Sequence, residues 1–542
     1  MQKRFLWAGL IAALTVTVVG SSAAMTGKVG QSGKTQAKVL RMSLGAEPPS
    51  LDPGLATDTT SANVLFNIMD PLIRLGKPPL LKATPGAASK WSVKGKVVTL
   101  TLRRSVRWTN GQPVKAADYV YSWLRTISPE LAADYAYQFD GIKGAHAYNA
   151  CDPEKTNCNT LKSQVGIKAV GPYKLRITLV APQPWFIQQL SHTSFLPVNR
   201  QAVEKYGNKW TEPENIVTDG PFKLTSWKHD ASLTLVKNTK WRNAKSVKLT
   251  KIEHPIITDG TTAENAFSAG NIDIDGTGVP PVDIPKWKKT PFWKQFKALG
   301  TYYYGFNVKN ISNVNQRRAM AYAIDRKAII KYITQSGQVP AKGFTPAGIA
   351  GGPVITKNSS MPATAKLDAA KSLLAKVSNP KRNIRLYVNN SPGHVKIATA
   401  VQASWKQLGL DATIRVLEWK QYLQFLGPPP NSDVDVYRLG WIYDFPDAYN
   451  GLVLWTCDSG NNNTNWCNKK YDGLIKKAER TPNNTKRYAL YKQAEDIMTG
   501  PKGDLPTMPI YWYTFSALVK NNVHGFFINP SDQIDLTKVS VG

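Results

Sequence analysis

Acidic residues are scarce in this chain of 542 residues: 37 Asp and Glu stand against 69 Lys and Arg, a formal net charge of +32. In a cytosolic protein such an excess would suggest nucleic acid. Here the basic residues are scattered, with no long run and no zinc-finger or RRM-type signature, so no nucleic-acid partner is expected. For an exported chain the expectation is a generally basic surface with no dedicated partner, or one that meets anionic wall polymer, lipid head groups or an acidic medium. Histidine is scarce as well. The six residues His146, His192, His229, His254, His394 and His524 are isolated in sequence. There is no His-Glu-x-x-His helix and no Gly-x-Ser-x-Gly elbow, so the common hydrolase signatures are missing. No enzyme activity, metal or cofactor is expected. Gly30-Gln31-Ser32-Gly33-Lys34-Thr35 looks like a phosphate loop, but Lys28 occupies the position of the first required glycine and no strand precedes it.

Cysteine is limited to Cys151 and Cys158, close together, and Cys457 and Cys467, also close together, all in Asn/Asp-rich sequence. Four cysteines allow three pairings, of which two local disulfides are the simplest. Each short closure is worth roughly 2.5 kcal/mol in the loop-entropy picture. Zinc is the rival, although the spacings are wide and no histidine adjoins either pair. Long apolar runs are missing too, apart from Leu6 to Val19, which at about 14 residues falls short of the roughly 20 that span a bilayer. Lys3 and Arg4 precede this run and Ser22-Ala23-Ala24 follows it, the pattern of a cleaved signal peptide over residues 1–24. An uncleaved anchor is the alternative. Residues 25–37 are polar and glycine-rich and read as a flexible leader. No cysteine is placed for lipidation. The expected address is the periplasm, or the outer face of the cytoplasmic membrane or cell wall.

What is present is ordinary globular material, 42% hydrophobic and 20% charged, in a chain long enough for two or three domains. From Lys38 the pattern is mixed α and β. Val97 to Leu102, Leu175 to Leu179 and Ala412 to Leu417 alternate as strands. Pro113 to Asp118 opens a helix with Val120, Trp123, Leu124 and Ile127 on one side. Arg317 to Ile333 predicts one helix with Met320, Ala323, Ile324 and Ile330 inward, and Val395 to Leu408 another, stopped by Gly409. Helix–Gly–strand order predicts a largely parallel sheet in this half. After the Gly427 to Pro430 loop, Asp433 to Val436 alternates as a strand. Gly440, Trp441 and Asp444 therefore fall where a strand runs out into a loop, the place where open α/β sheets put ligands. Asp444 can hold a small cation such as an amino terminus, Trp441 gives a stackable wall, and Gly440 admits a second backbone. A strand-to-loop corner with a solvated acid is the competing reading. With 16 Trp and 22 Tyr the chain suits a ring-lined cleft.

Several segments, taken in order, resemble the family 5 extracellular solute-binding proteins of ABC importers, the oligopeptide-, dipeptide- and nickel-binding group. They are Glu47 to Pro53; Leu102 to Arg125, with Trp108-Thr109-Asn110-Gly111; Asp219 to Leu224; and Ala269 to Asp273. Tyr302 to Asn307 follows, with Arg317 to Arg326, Gly440-Trp441 with Asp444, Lys469 to Asp472 and Pro509 to Trp512.

The resemblance implies an α/β, bilobal periplasmic-binding-protein fold (type II, cluster C) with an extra domain inserted in the first lobe. Lobe one would comprise residues 38–72, 196–300 and 508–542, the inserted domain 73–195, and lobe two 301–507. It implies a monomer that encloses a short peptide between hinged lobes and docks on a membrane permease. Gly440 to Ile442 match the edge that holds a peptide as an added strand. Asp444 matches the acid for the ligand's α-ammonium, Trp419 a stacking ring, and Arg438 a base for a carboxylate. Ala46 and Glu47 would contribute contacts from the other lobe, and Tyr135, Tyr137 and Tyr303 would line the cleft. Asp219, where Asn is usual, and the strand end Ile442-Tyr443 depart from the pattern and bear on pocket volume and charge. Other solutes (a nickel chelate, an oligosaccharide, an opine) fit the same fold, while a secreted hydrolase and a basic polymer-binding protein are readings of other classes.

Overall fold

The computed structural model describes residues 38–76, 81–352, 361–427 and 431–542. The expected signal peptide, the leader and Pro428 to Pro430 lie outside them. Three sheets organise the rest. The first runs Val39–Arg41, Lys251–Pro255, Ser232–Lys237, Phe222–Lys228, with Leu40, Phe222, Leu235 and Ile252 in its core. The C-terminal residues Val519 and Leu536 return to that same core. The second, wholly antiparallel, runs Ala88–Lys94, Val97–Leu102, Lys174–Thr178, Ile167–Ala169. Its strand Val97–Leu102 buries Val98, Leu100 and Leu102 on one face, as period-two alternation requires. Each such side chain contributes roughly 1.5–3 kcal/mol on leaving water.

Seven strands make the third sheet, in the order Ile274–Asp275, Thr507–Val519, Trp293–Phe306, Val436–Ile442, Asn383–Asn389, Asp411–Leu417, with Val339–Pro340 beside Thr507–Val519. Both faces are covered. Tyr302 and Tyr304 point into a core with Leu386, Trp405 and Val436, while Tyr303 between them joins Tyr437, Trp441 and Trp455 on the other side. The expected largely parallel sheet is corrected here. Only Asn383–Asn389 pairs in parallel, with both Asp411–Leu417 and Val436–Ile442. Helix Pro392–Lys406 supplies the crossover a parallel pair needs, whereas Trp293–Phe306 and Thr507–Val519 pair antiparallel and reach back to the first sheet's core.

The helices differ in detail from expectation. Helix Ala116–Thr126 buries Tyr119, Ser122 and Trp123, and leaves Val120 and Leu124 only half-buried. The single helix expected over Arg317 to Ile333 is broken. Val314–Tyr322 ends, and Asp325 accepts from the Ala328 N–H at 2.7 Å to cap a new start that continues as a π-turn over Ile329–Thr334. An Asp side chain that satisfies the backbone locally competes with helix continuation. The break also lets Arg326 bury fully, donating to the Pro509 and Pro362 carbonyls at 2.8 and 3.0 Å. Cys151–Cys158 and Cys457–Cys467 are both disulfides, with Cα separations of 5.8 and 4.7 Å, which excludes the zinc alternative for these pairs. Among the described residues no helix is long and apolar enough to cross a membrane.

Candidate functional site

A cavity of about 270 Å³ opens between the first sheet's side of the molecule and the strand Val436–Ile442. Arg438, Gly440, Trp441, Ile442 and Asp444 line it from that strand and its exit, with Trp419 and Tyr303 from the same side. Tyr135 and His192 face them. Gly440 and Trp441 lie within the strand, not beyond it; only Asp444 is in the loop.

Asp444 is held by neutral donors. Its carboxylate accepts from Asn450 Nδ2 at 2.8 Å and Gln138 Nε2 at 3.2 Å, and faces His192 Nε2 at 3.4 Å. Burial pushes the His192 imidazole below its usual range, against the pull of Asp444, so at neutral pH it brings no full charge. No lysine or arginine among the described residues forms an ion pair with Asp444, whose side chain is 15% exposed. The Trp441 indole donates to Asn450 Oδ1 at 3.0 Å, and its ring lies 6.0 Å from Tyr135, which in turn stands 5.8 Å from Tyr137. Tyr137 backs Tyr135 and meets Asn461 instead of lining the cavity.

Arg438 is the complementary group. It is 7% exposed, and its guanidinium lies 4.4 Å over the Tyr302 ring. It donates to Tyr513 Oη at 2.8 Å and Asn389 Oδ1 at 3.2 Å, but its Nε–H has no partner and no carboxylate pairs with it among the described residues. On the outer edge of its strand the Tyr422 hydroxyl accepts from the Arg438 N–H at 3.0 Å and donates to the Arg438 carbonyl at 2.6 Å, and no strand among the described residues is paired beyond it. Val436–Ile442 pairs along its length with Trp293–Phe306, but on its other edge only Val436 and Tyr437 have strand partners among the described residues.

Three expectations about individual residues are corrected. Gly440 makes room for a ring of this chain: a Cβ there would stand 2.2 Å from Tyr513 Oη. Glu47 is buried away from the cavity, accepting from Trp227 Nε1, the Asp230 N–H and His229, and neither it nor Ala46 lines the cavity. Asp219 and Tyr443 are core residues outside the cavity lining, whereas Ile442, the other half of the noted strand end, does line the cavity. The sequence reading missed Asp58, His192, Gln138, Asn450 and Asp532. These are far apart in the chain, and Asp58 before Thr59-Thr60-Ser61 carries only the signal of a helix cap.

The chain matches the profile described as bacterial extracellular solute-binding proteins, family 5 Middle, over residues 77–463. It belongs to that family. It is 34% identical to the oligopeptide-binding protein OppA of Bacillus subtilis, over 98% of each chain. Among solved structures, Haemophilus influenzae OppA in complex with RPPGFSPFR superposes with a TM-score of 0.86 at 27% identity, covering 93% of this chain and 99% of that one. The Escherichia coli murein tripeptide binding protein MppA (29% identity, 93% of this chain, 99 and 98% of that one) matches at 0.84 in one structure. In its unliganded open form it matches at only 0.62. The fold is the bilobal type II periplasmic-binding-protein fold with an inserted domain.

Proposed function

We propose that this chain is the exported, monomeric substrate-binding subunit of an ABC importer, capturing short peptides between its lobes for delivery to a membrane permease. The observation that carries the reading is a pair of uncompensated opposite charges, Arg438 on strand Val436–Ile442 and Asp444 just beyond its end, with no strand among the described residues paired to the outer edge from Gly440 to Ile442 between them. A peptide supplies what all three lack: an α-ammonium for Asp444, a carboxylate for Arg438, and backbone groups for the strand edge. Trp419, Trp441 and Tyr135 then give side chains apolar walls without demanding a particular sequence. In this reading lobe one is residues 38–72, 196–300 and 508–542, the inserted domain 73–195 and lobe two 301–507, and the protein binds without catalysis.

The test is calorimetric titration with short peptides and their N-acetylated forms. Acetylation, and separately Asp444→Ala, is expected to cost about 3–5 kcal/mol, because either leaves a buried charge unpaired. Equal affinity for free and blocked peptides would reject the role of Asp444. A different solute in the same cleft is the second reading, favoured by 30% identity over 92% of the chain to the probable deoxycholate-binding periplasmic protein YgiS of Escherichia coli. Mass spectrometry of the ligand extracted from purified protein separates the two.

A further inference from the structure

The cavity of this strongly basic protein is acidic. Its described lining includes three carboxylates, Asp58, Asp444 and Asp532, and a single lysine or arginine, Arg438. Asp444 and Arg438 are accounted for by the ends of a peptide; Asp58 and Asp532 are not. Resting on the peptide reading, we propose that the preferred ligand carries a cationic side chain, received by Asp58 and Asp532 on the first lobe's wall.

Asp58 precedes helix Thr59–Ile68 and accepts from the Ser61 N–H at 3.0 Å through one oxygen. The residue is 9% exposed, and its other oxygen, Oδ2, has no hydrogen-bond partner. Burial raises its proton affinity, and outweighs Ser61, the Thr60 N–H and the indole of Trp419 from the facing lobe, which all favour the charged form. Asp532 sits in the turn from Asn529 to Gln533 with φ +56°, beside Thr59. Burial pushes its carboxyl up to about 7. No lysine or arginine pairs with either acid among the described residues. The Tyr513 hydroxyl, whose ionisation Asp532 opposes, accepts from Arg438 at 2.8 Å.

The local structural roles of these two residues do not require charge. Asparagine caps a helix as well as aspartate does, and it is among the residues that best tolerate positive φ. What a cap leaves unexplained is a carboxylate oxygen stripped of water and without a donor, on a residue that lines a cavity, a costly arrangement without a ligand that supplies one. An ammonium or guanidinium does so, and it offsets the burial that otherwise drives both acids toward their protonated forms.

The same equivalence provides the test. Tripeptides with free termini, each carrying lysine, norleucine or glutamate at one position against an alanine background, are titrated into the full chain and into Asp58→Asn/Asp532→Asn. The readout is the ratio of lysine to norleucine affinities within each protein, which cancels general losses, and thermal melts verify folding. At one position the wild-type ratio is expected to be about ten-fold or more, with the glutamate peptide weakest, and to collapse toward one in the double variant. Equal binding of lysine and norleucine peptides at every position, or a preference that survives in the double variant, would overturn this proposal and leave the peptide reading intact. Failure of all free-amino peptides to bind would remove both.

Discussion

A carboxyl group stripped of water needs a cation, a set of neutral donors or a proton, and buried acids in this chain take each route. Asp70 takes cations: Arg242 at 2.5 Å and Arg74 at 3.2 Å. Asp444 takes the amides of Asn450 and Gln138, which leaves its charge available to a ligand. Asp219 takes the proton. It is fully buried, one oxygen accepts from the Asp70 N–H at 3.0 Å, the other has no partner, and burial followed by the nearby Asp70 charge raises its carboxyl well above the ordinary range. An acid whose folded pKa is raised binds more protons folded than unfolded. Its contribution is complete below the unfolded value of 3.8 and is lost as pH rises from there through the folded value. Asp219→Asn keeps the acceptor for the Asp70 N–H and abolishes the titration. The expected result is a gain in stability at pH 7 that shrinks toward pH 4, read from calorimetric melts across that range. A variant less stable than wild type at pH 7 would show that Asp219 is held as a carboxylate.

At the scale of elements, legibility followed locality. Strand Val97–Leu102 and helix Pro392–Lys406 were readable because one face is buried by neighbours on a fixed period, so the pattern of side chains records the surroundings. The break before Arg326 was not, because it depends on Asp325 reaching its own backbone and on carbonyls at residues 362 and 509. The strand Val436–Ile442 was legible as chemistry but misplaced by several residues, since a strand covered on both faces loses its alternation. Sequence cannot show that Gly440, which lines the cavity, also makes room for Tyr513, because that ring comes from a distant strand. The cysteine pairs were legible because their loops are short. The bridge Cys457–Cys467 closes a loop in which Asn462 Nδ2 donates to the carbonyls of Trp455, Thr456 and Trp466, while Asn461 and Asn463 line the cavity. Replacing both cysteines by serine is expected to cost about 2–3 kcal/mol of stability and to weaken peptide affinity as well. The paired replacement at Cys151 and Cys158, remote from the cavity, should lower stability alone. Equal effects of the two replacements on binding would show that the 457–467 loop does not order the site.

Across the whole molecule, Trp293–Phe306 and Thr507–Val519 connect the lobes, and their pairing is interrupted between Lys297 and Thr301. At that break Gly300 packs so closely on the Trp441 carbonyl and Ile442 that a Cβ would come within 2.8 Å of the carbonyl oxygen. If the clamp opens about this break, the inserted domain parts from lobe two, and the contacts between them oppose the opening. Trp185 stacks on Tyr449 at 4.9 Å, with Arg487 5.0 Å from the Trp185 ring. Beside them Gln183 Nε2 donates to Glu479 Oε1 at 2.9 Å. Burial, and then the Asp140 carboxylate, push Glu479 up to about 7, while Gln183, Arg480 and Tyr449 pull the other way. Opening exposes Glu479 and returns it toward the ordinary 4.5. Closure is therefore most favoured below pH 4.5, and that advantage is lost as pH rises through about 7. Small-angle scattering of ligand-free protein is expected to show a radius of gyration that grows between pH 5 and 8. In Glu479→Gln, which keeps an acceptor for Gln183 without a charge beside Asp140, the protein should stay compact over the same range. A wild-type radius independent of pH, or a variant that still expands, would place the control of opening elsewhere than at this contact.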